Sequence, residues 1–236
     1  MNYNNYSLSA GKGKLYLKEK TPTQGYEEIT YGTEGKKTYH KYENSIKGIP
    51  TFFGTKEVQY DGKTLRFLEF TLVDGDVSNK LSVSLKNKGG YTDEVKALIS
   101  AMSGLDLGEE ITLTPTSSVS TGKNGKEYKN LNIYINYVNR LGENGKGLST
   151  GYIDFNDIPK PVSKVVAGDT TWDWEAQTVF YWEKLTEIEN RFKGTASSTS
   201  QDNTPKQEQK LPTATPAQAF EPASNFIEEE HDDLPF

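Results

Sequence analysis

Nucleophilic and metal chemistry have little to work with in this chain. It carries two histidines, His40 in a strand-like stretch and His231 near the C-terminus, and no cysteine. Without cysteine there is no thiolate nucleophile, no disulfide framework and no His/Cys metal spacing. The Gly-Lys loops "GKGK" (11–14) and "GKNGK" (122–126) lack the G-x-x-x-x-G-K-[ST] pattern of a phosphate loop and its strand-to-helix setting. Asp154 and Asp157 are near enough in sequence to pair or to hold a cation, but loop acids are ordinarily solvated. The expectation is a protein that binds rather than catalyses, with no cofactor and no metal.

The chemistry that is present is lysine interleaved with isolated aromatics. Period-2 alternation divides each candidate strand into two faces. In 128–137, Leu131, Ile133, Ile135 and Tyr137 form a core-facing set, and Tyr128, Asn130, Asn132, Tyr134 and Asn136 face away. In 80–86, Leu81, Val83 and Leu85 point inward and leave Lys80, Ser82, Ser84 and Lys86 outside. Leu68, Phe70 and Leu72 do the same for Phe67, Glu69 and Thr71. Cations neutralise phosphates, and a base stacked on a ring is worth about 1–3 kcal/mol whatever its identity. The candidate surface for single-stranded nucleic acid is Lys63, Arg66, Phe67, Lys80, Lys86, Lys123, Lys126, Tyr128 and Tyr134.

The elements that must hold these side chains run strand, strand, strand, helix, strand, strand. "PTFFGTKEVQY" and "TLRFLEFTLV" flank an Asp-Gly hairpin signal, and "DGDVSNK" turns the chain into "LSVSLK". In "YTDEVKALISAMSG", Val95, Leu98, Ile99 and Met102 recur at helical spacing, with Thr92 as N-cap and Gly104 as stop. "EEITLTP" and "EYKNLNIYINYV" follow, joined by the polar loop "TSSVSTGKNGK". This is the order of an OB-fold, a five-stranded Greek-key barrel whose second and third strands and 1–2 and 4–5 loops bind oligonucleotides or oligosaccharides. The expected fold is mainly β: a domain over 1–194 with a barrel at about 50–140 and one helix between its third and fourth strands. An extra N-terminal hairpin at about 26–48 turns at Glu34-Gly35. A C-terminal helix at about 172–193 carries Trp174, Tyr181, Leu185, Ile188 and Phe192.

Net charge is −6 and unevenly spread. Residues 1–150 hold 20 Lys/Arg against 17 Asp/Glu (+3), 151–194 hold 5 against 8 (−3), and 195–236 hold 2 against 8 (−6). The acidic total therefore weighs little against nucleic-acid binding by the front of the chain. Residues 195–227 are rich in Ser, Thr, Gln, Pro and Ala and cannot bury enough apolar surface to offset their ordering entropy, so a disordered linker is expected there. It would give residues 228–236 a reach on the order of 30 Å. That last stretch, "EEEHDDLPF", sets an apolar tip behind five carboxylates. No apolar signal region opens the chain and no stretch approaches the ~20 apolar residues of a membrane span. The expected location is cytoplasmic, with no membrane partner.

A basic and aromatic OB-like body, a polar linker and a tip ending in "DDLPF" together resemble a bacterial or phage single-stranded DNA-binding protein. The resemblance implies protection of single-stranded DNA without sequence preference during replication, recombination or repair. It also implies that Asp232, Asp233, Leu234, Pro235 and Phe236 dock into basic, apolar-floored pockets of partner enzymes such as a polymerase, helicase, primase or nuclease. His231 and the Glu228–Glu230 run depart from the family's aspartate-rich tip. No DNA-contacting residue carries over from the family's barrel, and the additions around this one suggest a diverged, phage-encoded member acting in the bacterial host cytoplasm. They give no ground for assuming a tetramer. Two rival readings are a replication accessory protein that uses the tip without binding single strands, and a carbohydrate-binding β-barrel.

Overall fold

Alternation of large apolar with small polar residues makes this chain mainly β. The computed structural model describes residues 2–31, 35–60, 62–87, 90–121, 125–166 and 169–198. Its strands begin with β1 (Asn2–Ser9), β2 (Lys14–Glu19), β3 (Glu27–Tyr31), β4 (Lys36–Glu43), β5 (Ile46–Tyr60), β6 (Lys63–Asp74) and β7 (Val77–Ser84). Two short strands, β8 (Lys86–Asn87) and β9 (Gly90–Tyr91), precede helix α1 (Asp93–Met102). Then come β10 (Ile111–Thr121), β11 (Glu127–Leu141), β12 (Gly147–Ser149), β13 (Val162–Val166), β14 (Asp169–Asp173) and helix α2 (Glu175–Ser198).

Ten strands form one sheet in the order β12-β11-β10-β5-β6-β7-β1-β2-β4-β3. The five strands expected for the barrel are neighbours within it, and α1 joins β7 to β10. The expected barrel is not closed by hydrogen bonds, because β7 gives its second edge to β1. That pairing is parallel, with Asn2 opposite Val77 and Tyr6 opposite Leu81. β1 and β2 come from a stretch with no strand expectation, and they connect the barrel strands to the β3–β4 hairpin, which does form within 26–48. The sheet curls until the β1–β2 turn meets β10. Gly13, at φ +60°, lies so close to Thr116 and Ser117 that a Cβ would collide with the Ser117 amide.

Local chemistry shapes the remaining elements. The β6–β7 turn tightens to Gly75–Asp76, with Gly75 at φ 57°, so strand resumes inside the segment expected to be a longer turn. The polar loop expected at 116–126 is strand as far as Thr121, which β10 reaches opposite Glu127. In β5, Pro50 faces Leu72 but Phe52 faces Thr71, which makes Thr51 a bulge. The extra residue turns Phe53 onto Phe70, ring centroids 6.2 Å apart, and leaves Phe52 exposed. Thr92 caps α1 by accepting from the Val95 amide while its hydroxyl donates to the Ser84 carbonyl. Gly104 does more than stop the helix, because a Cβ there would lie 2.8 Å from the Thr150 carbonyl oxygen.

The C-terminal helix starts later than expected. Trp172 and Asp173 are held in β14 by pairing with Ser163 and Val162, and the Asp173 carboxylate accepts the Glu175 amide at 2.9 Å. Tyr181, Leu185, Ile188 and Phe192 are buried as their spacing predicts. Phe192 stacks on Phe53 at 5.9 Å, and Arg191 donates to the Leu105 and Met102 carbonyls at 3.0 and 2.9 Å, tying α2 to the end of α1. The helix passes its expected stop at Gly194, where nothing packs, and continues to Ser198. Residues 199–236, with most of the expected linker and the whole tip, lie outside the described residues.

The Gly13 contact gives a direct test of the curl. Gly13→Ala combines a left-handed backbone with a backbone collision and should destabilise by more than about 1 kcal/mol. Gly11→Ala meets nothing within 4 Å and should be near neutral. Thermal melts of the two variants check this, and equal melting temperatures would remove the β1–β2 turn from β10.

Candidate nucleic-acid interface

Two hairpins outrun the core. β5–β6 stays paired out to Tyr60 and Lys63, and β10–β11 out to Thr121 and Glu127. Their outer halves expose most side chains on both faces, so each is an arm rather than a wall of the core. They connect the same strands as the 1–2 and 4–5 loops anticipated from the strand order.

On the β5–β6 arm Lys63 is exposed and has no ion pair among the described residues, and Tyr60 is exposed beside it. Arg66 Nε lies 2.7 Å from Glu57 Oε1, its cross-strand neighbour. Phe67 is half-buried on the opposite face from Arg66, between Lys56 and Ser84. Glu69 corrects the face assignment, because it is buried rather than outward. Lys56 and Lys80 flank its carboxylate at 3.4 and 3.7 Å, and this double pairing makes the burial tolerable. Lys80 is therefore half engaged with protein. Lys86 belongs to β8, but its side chain lies outside the described set, as does Lys123 altogether.

On the β10–β11 arm the Lys126 ammonium sits 5.8 Å over the Tyr128 ring. Lys129 is exposed, and Asn130 Nδ2 donates to Ser120 Oγ across the ladder at 2.8 Å. The expected division of β11 holds from Ile133 onward: Ile133, Ile135 and Tyr137 are buried, Tyr128 and Tyr134 are exposed, and Leu131, expected in the core, is half-buried. Tyr134 lies edge-on to Tyr152, centroids 6.2 Å apart, in a cleft of about 850 Å³ between α1, β11 and the start of α2. Phe67 and Lys80 share one face of β6–β7, while Lys126, Tyr128 and Tyr134 follow β11. β5 and β10 lie between the two groups in the sheet.

A third aromatic patch was not anticipated. On β2 and β4 the rings of Tyr16 and His40 stack at 4.4 Å and 12°, with Tyr42 at 6.1 Å from Tyr16. Lys12 Nζ lies 3.6 Å over Tyr42 and Lys18 Nζ 5.7 Å over Tyr31. Register links this patch to the barrel strands, since Tyr16 faces Ser7 and Asn5 faces Lys80. The alternations Tyr16/Lys18 and His40/Tyr42 were its only sequence signal. Asp154, considered above for pairing, instead caps the short 3-10 turn Phe155–Asp157 by accepting the Asn156 amide at 2.8 Å.

Comparison with protein-family models, curated proteins and solved structures finds no match for this chain. Among the described residues no helix is long and apolar enough to cross a membrane.

His40 supplies a pH test of the third patch. Burial, reinforced by Lys18 and Lys12, holds its pKa below the usual histidine value. Above about pH 6.5 the ring is neutral in both folded and unfolded chains and contributes no slope. Below that the unfolded chain takes the proton first, so stability falls as pH falls. Wild-type protein should lose more stability than His40→Gln between about pH 7.5 and 5.5. Parallel melting curves for the two proteins over that range would place His40 in water.

Proposed function

We propose that this protein is an OB-fold single-stranded DNA-binding protein that works without sequence preference and recruits replication or repair enzymes through residues 228–236. The observation that carries the reading is the pair of exposed arms, β5–β6 and β10–β11, built on a β-β-β-α-β-β unit and bearing lysines beside tyrosines. Lys63 and Tyr60 supply a cation and a ring on one arm, and Lys126, Tyr128 and Lys129 do so on the other. Exposed rings on an extended ribbon suit unstacked bases, whose faces are inaccessible in a duplex. The acidic tip supports the second half of the reading through its resemblance to the tips of bacterial single-stranded DNA-binding proteins.

The ion pairs set the expected strength. Arg66 and Lys80 are each drawn to a carboxylate, so phosphates must compete with Glu57 and Glu69 for them. About three to five phosphate contacts would give log K a slope of roughly −2 to −3.5 against log salt. Titration of a labelled oligo(dT) and of a duplex of equal length should show tight, salt-dependent binding of the single strand and weak binding of the duplex. Tyr128→Ala should weaken oligo(dT) binding by about 1–3 kcal/mol. Its melting temperature should stay unchanged, because the ring is 45% exposed. Equal affinity for both nucleic acids, or an unaltered affinity in Tyr128→Ala, would reject the assignment.

A further inference from the structure

We infer that the cleft between α1, β11 and the start of α2 is a nucleobase pocket, reached by single-stranded DNA running along β11. This rests on the single-strand-binding reading and adds to it a subsite completed by residues from beyond the β-β-β-α-β-β unit. Tyr152, Phe155 and Trp174, which close the cleft, all follow β12 in the chain.

Its aromatic lining is unusually open. Tyr134, Tyr152, Phe155 and Trp174 keep 44, 43, 74 and 40% of their surface exposed in the folded chain. A core would have covered such rings, and flat bases can cover them instead. The volume, about 850 Å³, lies within the ~300–1,000 Å³ range of small-molecule sites and has room for more than one base.

The polar groups favour a base over a phosphate. Asn130, Asn132 and Gln177 line the cleft with planar amides, which match base edges without demanding one base. The charged lining residues are Asp93 and Lys96, which stand 3.7 Å apart, while Lys96 also lies 5.4 Å over Trp174. A lining whose charges cancel does not attract a phosphate, but it accepts an uncharged ring. Phosphates find their cations further along, at Lys126 and Lys129.

Continuity fixes the occupant. Tyr128, Asn130, Asn132 and Tyr134 form one row on the outward face of β11, about 20 Å long at the strand rise. The row starts beside Lys126 and ends in the cleft. Along this row no strand among the described residues pairs with the outer edge of β11, because β12 pairs near Asn136 and Leu141. The chain that leads into Tyr152 is already tied down on both sides. Thr150 Oγ1 donates to the Ala101 carbonyl at 2.9 Å, and its amide donates to the Ile135 carbonyl at 3.0 Å. A preformed wall costs little further ordering when a base enters.

The test uses the full chain and oligo(dT). Trp174 lines the cleft, and Trp172 and Trp182 do not. Oligo(dT) should quench tryptophan emission in wild-type protein, and Trp174→Phe should lose most of that quench. Tyr152→Ala/Phe155→Ala removes two exposed rings and should weaken binding about tenfold or more with its melting temperature kept. Binding of oligo(dT) by wild-type protein, with affinity unchanged in the double variant and the quench retained in Trp174→Phe, would overturn the pocket and leave the parent reading standing. Wild-type protein that fails to bind oligo(dT) would overturn both. Quenching by a neutral oligosaccharide without any response to oligo(dT) would make the cleft a sugar site and overturn the inference.

Discussion

The edge of β7 governs the rest of this architecture. A buried-face strand with an open edge leaves a row of backbone groups unpaired, so the edge must be occupied or covered. Here β1 occupies it in parallel, and its register is held by the Asn2 amide on the Asp76 carbonyl and by Asn4 Nδ2 on Asn79 Oδ1, both at 3.0 Å. A slip of one residue would turn Tyr6 out of the core and bring Asn5 into it. Because β1 takes this place, β2, β4 and β3 extend the sheet, and the β1–β2 turn curls against β10. Among the described residues β11 has only the short β12 on its outer side, and the cleft opens where β12 stops.

Much of the central unit was legible because its signals are local. Leu68, Phe70 and Leu72, or Ile133 and Ile135, alternate strictly, and Asp-Gly marks the turns between them. Thr92, Asp93 and Glu94 announce α1 in the same way. The parallel β1–β7 ladder joins residues far apart in sequence, and β1 reads as polar because Tyr6 is its one fully buried side chain. No local pattern announces such a strand. Trp174 was read into α2 because its spacing to Tyr181 is helical, but the β13–β14 pairing holds the chain extended up to Asp173.

The site was legible in its parts but not in its pairings. Alternation placed Tyr128 and Tyr134 outward, as found. It also placed Glu69 outward, because a period-2 pattern cannot register that Lys56 and Lys80 converge on one carboxylate from neighbouring strands. Tyr134 proves less independent than Tyr128, since Tyr152 approaches its edge from a segment that carries no periodic signal. Such convergence depends on register and on the chain's return path, and both are set by long-range packing. The resulting surface divides its tasks. In the proposed reading, the lysine-bearing arms would meet the charged backbone of a strand, and the lining of balanced charge at the end of β11 would meet its bases.

Amide hydrogen exchange of the whole protein, with and without oligo(dT), tests this division of labour most directly. Bound single strand should slow exchange in residues 56–67 and 126–134 and leave β3, at the far edge of the sheet, unchanged. Full binding with neither arm slowed, or the same protection produced by duplex, would contradict the account.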